Sequence, residues 1–310
     1  MLTLFTTPKA FRGHAGTIQR NALASWTLLG PGVEVILFGD DEGASEVARE
    51  LAIRHIPDAP RHPSGFKYLN AFFQHAQQIA RNPLVCYTNC DIILLPDMLE
   101  AVRRVLQQVP RFLMLGRRRD LDVTQPIAFE DANWSSRLRE RALREGVERP
   151  GQWIDYFVFP RGFYDAIPPF VIGRVAWDNW LVWRALSMRA PVVDATASVL
   201  AIHQNHDYAY HPQGAIGVWQ DELALRNIEV GGGLHWVGTI DDATHRLTAR
   251  GLVGNWKRTF KFVRRAVSRV AYEGLSASVR ASRPLRHAMG IRKENFDSLR
   301  TRLGATRSKP

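Results

Sequence analysis

Leu84-Val85-Cys86-Tyr87-Thr88-Asn89-Cys90-Asp91-Ile92-Ile93-Leu94-Leu95 decides how this chain reads. Leu84–Tyr87 is continuously apolar or aromatic, the pattern of a strand buried on both faces of a parallel sheet. A carboxylate then appears at Asp91, and the apolar run resumes at Ile92. Charge is seldom left unpaired in such surroundings, so Asp91 needs a partner. In open parallel sheets ligands gather beyond the carboxyl ends of the strands, where Asn89 and Asp91 fall.

Upstream, Leu2–Thr6 and Val33–Phe38 read as further buried strands and Arg54–Ile56 as a short third one. Helical stretches separate them: Gly13 to Leu29, Ala44–Ala52, and Phe66–Arg81, with Phe66, Leu69, Phe72, Phe73, Ala76 and Ile79 on one face. Ile92–Leu95 continues the apolar run past Asp91. A helix from Pro96-Asp97 to about Pro110 and a strand at Phe112–Leu115 follow. This alternation predicts an α/β fold with a mainly parallel sheet covered on both faces. After residue 116 short apolar runs at Trp153–Phe159 and Ser198–Ile202 and a Trp-rich helix over 176–189 are expected to complete the sheet and build an acceptor platform. The expected division is one domain over 1–250, with a nucleotide-binding half at 1–115 and an acceptor half at 116–250, and a basic helical tail at 251–310. Residues 231–254 are Gly-rich and read as irregular.

The charge of +11 is uneven. Residues 255–310 hold 15 of the 41 Lys/Arg and three of the 30 acids, which leaves the preceding 254 residues at a net −1. A nucleic-acid enzyme tends to carry its positive charge across the catalytic face, so nucleic acid is not the expected partner. Trp256, Phe260, Val263, Val267 and Val270 recur at helical spacing with Lys and Arg on the other sides, a basic amphipathic helix suited to an anionic membrane surface or to the protein's own body. No run approaches the roughly 18–20 apolar residues that span a bilayer. Met1–Phe5 reads as a strand, not as a secretory signal. Two cysteines on or beside one strand suit a reducing cytoplasm, with the tail suggesting a peripheral place at the inner membrane face.

Polar groups cluster at the strand ends. Thr6, Thr7 and Asp40 are placed to line a base and ribose, and Arg12 and Lys67 to reach phosphate oxygens; such residues also make ordinary turns. A divalent ion of the Mg²⁺ or Mn²⁺ kind uses one or two carboxylates plus substrate phosphates, a role open to Asp91, which could equally cap a neighbouring turn. His203-Gln204-Asn205-His206-Asp207-Tyr208 follows another apolar run, and His203 or His206 could complete the coordination. Zinc on His203, His206 and His211, or a structural histidine pair, are the rivals. Asp178 is the candidate general base, flanked by Trp177 and Trp180 for sugar stacking and Asn179 for hydroxyls. Alternatively the tryptophans face the core and Asp178 caps the helix.

On Leu4–Lys9, Val35–Asp40, Tyr87–Leu94, Asp155–Gly162, Trp177–Leu181 and His203–Tyr208, the chain resembles nucleotide-sugar glycosyltransferases of the GT-A type. More narrowly it is similar to a family of bacterial and plant glycosyltransferase-like proteins. The resemblance implies a three-layer GT-A sandwich with a mixed, mostly parallel sheet. It also implies a Mn²⁺ or Mg²⁺ cofactor, a nucleotide-sugar donor and a glycan, glycolipid or lipid-linked acceptor. Asn89-Cys90-Asp91 would be the Asp-x-Asp element, Asp178 the acidic residue of the acceptor helix, and His203 the late metal-binding histidine. A sugar-nucleotide pyrophosphorylase, or a non-catalytic carbohydrate-binding or scaffold protein, would share the fold. Thr6–Gly16 offers only Gly13 and Gly16 toward the Gly-rich phosphate loop of a pyrophosphorylase.

Overall fold

Strands β1 (Leu2–Thr6), β2 (Val33–Phe38), β3 (Arg54–Ile56) and β4 (Leu84–Thr88) run parallel in the spatial order β3-β2-β1-β4 in a computed structural model. The structure describes residues 1–207, 218–233, 237–256 and 258. Beyond β4 the sheet continues through β9 (Tyr156–Pro160), β6 (Leu113–Leu115), β10 (Val192–Asp194), β12 (His245–Thr248) and β13 (Gly251–Gly254). Strand β9 is antiparallel to both β4 and β6, and β13 is antiparallel to β12. The result is a large mixed, mostly parallel sheet.

Period-2 alternation divides this sheet between two helical layers. Leu2 and Leu4 of β1, with Tyr156 and Val158 of β9, face Leu23 and Trp26 of α1 (Gly13–Thr27) and Met98 and Val102 of α4 (Asp97–Leu106). Phe5 and Phe157 point the other way, toward Phe72 and Phe73 of α3 (Leu69–Ile79) and Trp177 and Leu181 of α6 (Trp177–Ser187). Phe5 meets Phe73 edge-on at 5.0 Å between ring centres. Burying each such ring contributes about 2–3 kcal/mol.

Strand β4 ends at Thr88, although the apolar run resumes at Ile92. The chain turns at Asn89–Asp91, and β5 (Ile92–Ile93) enters a second sheet of order β5-β11-β7-β8, formed with β11 (Ala201–Gln204), β7 (Arg118–Leu121) and β8 (Val147–Glu148). Asp91 therefore stands at the seam between two sheets. The turn is held by the Ile92 N–H on the Asn89 carbonyl, and the Asp91 carbonyl accepts from the Gln204 backbone and side chain.

Residues 231–254, expected to be irregular, carry the β12–β13 hairpin at the sheet's edge, with Leu247 paired to Leu252. The period-2 signal is short there and broken by Gly251 at φ +112°. Gly251–Gly254 thus belongs to the sheet and not to a tail beginning at 251. The chain divides into units at Met1–Asn255 and Trp256–Pro310. Of the second, only Trp256 and Arg258 are described, so the amphipathic helix expected over 256–270 lies outside the described residues, as does His211. Among the described residues no helix is long and apolar enough to cross a membrane.

Candidate active site

A cavity of about 930 Å³ opens beyond the carboxyl ends of β1, β2 and β4, lined by Thr7, Asp41, Asn89 and Asp91 among others. Strand register brings its chemistry together. His203 of β11 pairs with Ile92 of β5, next to Asp91, and on its other side with Asp120 of β7. Residues 91, 120 and 203 are thereby neighbours.

Asp91 Oδ2 lies 3.1 Å from His206 Nε2 and 3.9 Å from His203 Nε2. Asp91 Oδ1 is buried without a hydrogen bond. One ligand atom from each of Asp91, His203 and His206 falls within 4.8 Å of the others. His206 Nδ1 is 2.7 Å from the Asp207 carbonyl, which can only accept, so Nδ1 donates and Nε2 is the atom presented to Asp91. Burial opposes ionisation of Asp91, but the bond to His206 and the charges of His203 and Lys9 outweigh it, holding the carboxyl below its ordinary range. An ionised carboxylate and two imidazole nitrogens aimed at one point form a donor set that fits a divalent cation.

Asp178 enters the cavity from the first turn of α6, just after Ala176, a non-glycine residue at φ +84°. Such a conformation costs of the order of 1 kcal/mol or more and persists only where the surroundings impose it. No side-chain cap closes this helix, so Asp178 is not its cap. Its Oδ1 is buried without a hydrogen bond. Burial pushes the carboxyl up to about 7, against backbone bonds from Asn179 and its own N–H and with help from the charge of Asp155.

Asp155 is built differently. It accepts from Asn89 Nδ2 at 2.6 Å and from Arg118 at 3.0 Å, so both oxygens are engaged. Arg118 also reaches Asp120 Oδ1 at 2.8 Å and lies over the Trp153 ring at 4.7 Å. Trp153 meets Trp219, a 46 % exposed indole, at 5.9 Å.

Thr7, Arg12, Lys67, Asn89, Asp91, Trp177, Asp178, Asn179, His203 and His206, all expected at the site, line this cavity. Several are already engaged. The Thr7 hydroxyl donates to the Phe38 carbonyl, Arg12 is ion-paired with Glu42, and Asn179 Nδ2 donates to the Gly238 carbonyl. Lys67 is ion-paired with Asp41 and donates to the Pro8 carbonyl at 2.9 Å. Gly39 makes room for that pair: at φ +114° a Cβ would stand 2.4 Å from Lys67 Cε.

Thr6, Asp40 and Trp180, also expected at the site, lie elsewhere. Thr6 ends β1 fully buried, because its side chain falls on the sheet and not on the loop. Asp40 is exposed and paired with Arg61, and its neighbour Asp41 takes the cavity position. Trp180 sits one helical step from Trp177 and packs on Phe170 and Trp183. Trp177 itself gives most of its ring to Tyr87 and Phe157, leaving little face for a sugar. The exposed cavity indole is Trp219.

The stretch Arg117–Asp122 reads as a polar strand end and Asp155 opens one of the stretches that carry the resemblance, but no individual role is assigned to Arg118, Asp120 or Asp155 from the sequence. Arg118 and Asp120 are two apart on one strand, which puts both on the same face, and that spacing is the signal that finds them.

No family model and no curated protein matches the chain. Among solved structures it is similar to Mycobacterium tuberculosis glucosyl-3-phosphoglycerate synthase, at 12% identity and TM-score 0.44 over 74% of this chain and 78% of that one. It is similar to the same enzyme crystallised with Mg²⁺ and uridine diphosphate, at 11% and 0.43 over 75% and 80%. It is also similar to S. aureus TarS 1–349 in complex with UDP-GlcNAc, at 9% and 0.30 over 39% of this chain. The match spans only 35% of that TarS chain. At such distances these likenesses assign neither an activity nor a residue role.

Proposed function

We propose that this protein is a glycosyltransferase, moving a sugar from a nucleotide-sugar donor to a hydroxyl of a glycan, glycolipid or lipid-linked acceptor with the help of a divalent cation. The observation that carries this reading is the meeting of Asp91, His203 and His206 with the protonatable Asp178 in one cavity at the strand ends.

Asp91, His203 and His206 would hold the cation, Mn²⁺ or Mg²⁺. When bound, it supplies positive charge to the diphosphate, stabilising the leaving group. The buried Lys67 and the exposed Lys9, both lining the cavity, add positive charge there. Thr7 and Asp41 sit where the β1 and β2 ends would meet a nucleoside.

In the reaction the bond from the anomeric carbon to the diphosphate oxygen breaks and one to the acceptor oxygen forms. The acceptor's hydroxyl proton passes to the Asp178 carboxylate. Asp178 suits this better than Asp155, whose oxygens are occupied by Asn89 and Arg118. A base poised near 7 is matched to neutral pH.

Incubation of the purified protein with UDP-, GDP- and dTDP-sugars and Mn²⁺ tests the reading. At least one donor should raise the melting temperature and be slowly hydrolysed. Neither effect with any donor would overturn it. A non-catalytic carbohydrate-binding role would instead leave cellular function intact in Asp178→Asn and Asp91→Ala. Pyrophosphate release from a nucleoside triphosphate and a sugar phosphate would mark a pyrophosphorylase.

A further inference from the structure

Asp120 has no place in the chemistry above, yet it is among the most heavily partnered carboxylates of the described chain. It is 5 % exposed, with Arg118 Nε 2.8 Å from Oδ1 and Arg149 Nε 2.5 Å from Oδ2. Its third neighbour is His203, whose Nδ1 lies 3.2 Å from Oδ1. Both ring nitrogens face an ionised carboxylate, Nδ1 that of Asp120 at 3.2 Å and Nε2 that of Asp91 at 3.9 Å, and the shorter contact places the ring's proton on Nδ1. His203 Nδ1 has no well-aligned hydrogen bond, which leaves attraction to Asp120 to orient the ring. The Nε2 lone pair then faces Asp91. His206 is held from behind in the same way by a different acceptor, the Asp207 carbonyl, while its Nε2–H donates to Asp91 until a cation takes that proton's place. Both imidazoles therefore offer Nε2 to one point, each fixed from behind by an oxygen. Acceptors behind a ligating histidine raise its basicity and hold its tautomer.

We propose that Asp120 is a positioning residue for a two-imidazole, one-carboxylate centre, and that this centre takes a transition-metal cation such as Mn²⁺ or Zn²⁺ in preference to Mg²⁺. The proposal rests on the cation reading above and narrows it. Imidazole nitrogen suits transition metals, whereas Mg²⁺ favours oxygen donors and keeps its waters. Asn89, the motif position that could have supplied a second carboxylate, is an amide already committed to Tyr87 and Asp155. Within the group of Asp91, His203 and His206 that the described residues form, Asp91 is then the one oxygen donor.

Isothermal titration of the metal-free full chain with Mn²⁺, Zn²⁺ and Mg²⁺, without nucleotide, tests this apart from turnover. The unaltered protein should bind Mn²⁺ and Zn²⁺ at least tenfold more tightly than Mg²⁺. Asp120→Asn should weaken Mn²⁺ binding by roughly 10–100-fold. Arg149→Met leaves the Asp120–His203 contact in place and should stay within about threefold of the unaltered protein. In the unaltered Zn²⁺-loaded protein, nitrogen chemical shifts should show His203 protonated at Nδ1 and ligating through Nε2, a readout independent of any variant's folding. Mg²⁺ binding as tight as Mn²⁺ overturns the metal preference. Equal Mn²⁺ affinity in Asp120→Asn, an equal loss in Arg149→Met, or ligation through Nδ1 overturns the positioning role while the cation reading stands. Absence of binding by all three metals overturns both.

Discussion

Replacing Asp178 by Asn should make the protein more stable at neutral pH while stopping it working. The carboxyl is held near 7 in the fold against an ordinary 3.8. Below about pH 4 it is protonated in both folded and unfolded chains and exacts no penalty. Between pH 4 and 7 the unfolded chain ionises while the fold keeps its proton, so stability falls as pH rises. Above 7 both forms are ionised and the whole cost is present. At about 1.4 kcal/mol per factor of ten in acid dissociation, the ceiling is about 4 kcal/mol. Water reaching the ionised side chain lowers this, and roughly 2 kcal/mol is the expected gain for the neutral isostere at pH 8. For a unit of this size that is about 4–8 °C in melting temperature. The assay is a pair of thermal melts at pH 4 and pH 8 on both proteins, since the difference of differences removes pH-independent effects of the substitution. In parallel, kcat/KM of the unaltered enzyme should fall tenfold per pH unit below about 7, and Asp178→Asn should lose about 10²–10⁴-fold in activity. A melting advantage that is the same at both pH values, or that grows toward pH 4, would refute the burial argument.

Gly39→Ala puts a Cβ into Lys67 at a backbone angle that suits only glycine, and should cost about 2–3 kcal/mol by thermal melting along with a weaker affinity for the nucleotide-sugar. Trp180→Ala empties a core position and should cost about 3–5 kcal/mol. By contrast Trp219→Ala should leave the melting temperature nearly unchanged and raise the acceptor KM, because this indole lines the cavity and is exposed. A core-like loss of stability at Trp219, or none at Trp180, would reverse that assignment. Asp91→Ala should abolish cation-dependent binding of uridine diphosphate in calorimetry while leaving the fold intact.

The first half of the sheet was legible because β1, β2 and β4 are unbroken apolar runs, and such runs are unambiguous when turns and helices bound them. What followed Asp91 was not. Ile92–Leu95 reads only as a resumed apolar run, and the pairing of Ile92–Ile93 with β11 is what places it in another sheet. The β12–β13 hairpin is silent in the sequence because the glycines that begin and end β13 carry no periodic signal. At the site, residue type pointed to Asp91, His203, His206 and Asp178, but not to their partners. Asp120 and Asp155 differ from ordinary surface acids only in register, which pairs Asp120 with His203 across two strands. The tryptophans show the same limit. Trp177 and Trp180 suggest a platform in one dimension, yet α6 packs both into the core, and of the two only Trp177 also lines the cavity that the exposed Trp219 borders.

Diffraction from crystals soaked in MnCl₂ and uridine diphosphate, recorded at the manganese edge, tests the convergence of these residues most directly. A single strong anomalous peak bounded by Asp91, His203 and His206, with the diphosphate beside it and Asp178 facing the same cavity, is the expected result. Manganese and nucleotide bound away from these side chains, or the three closed on one another with nucleotide excluded, would contradict the sugar-transfer account.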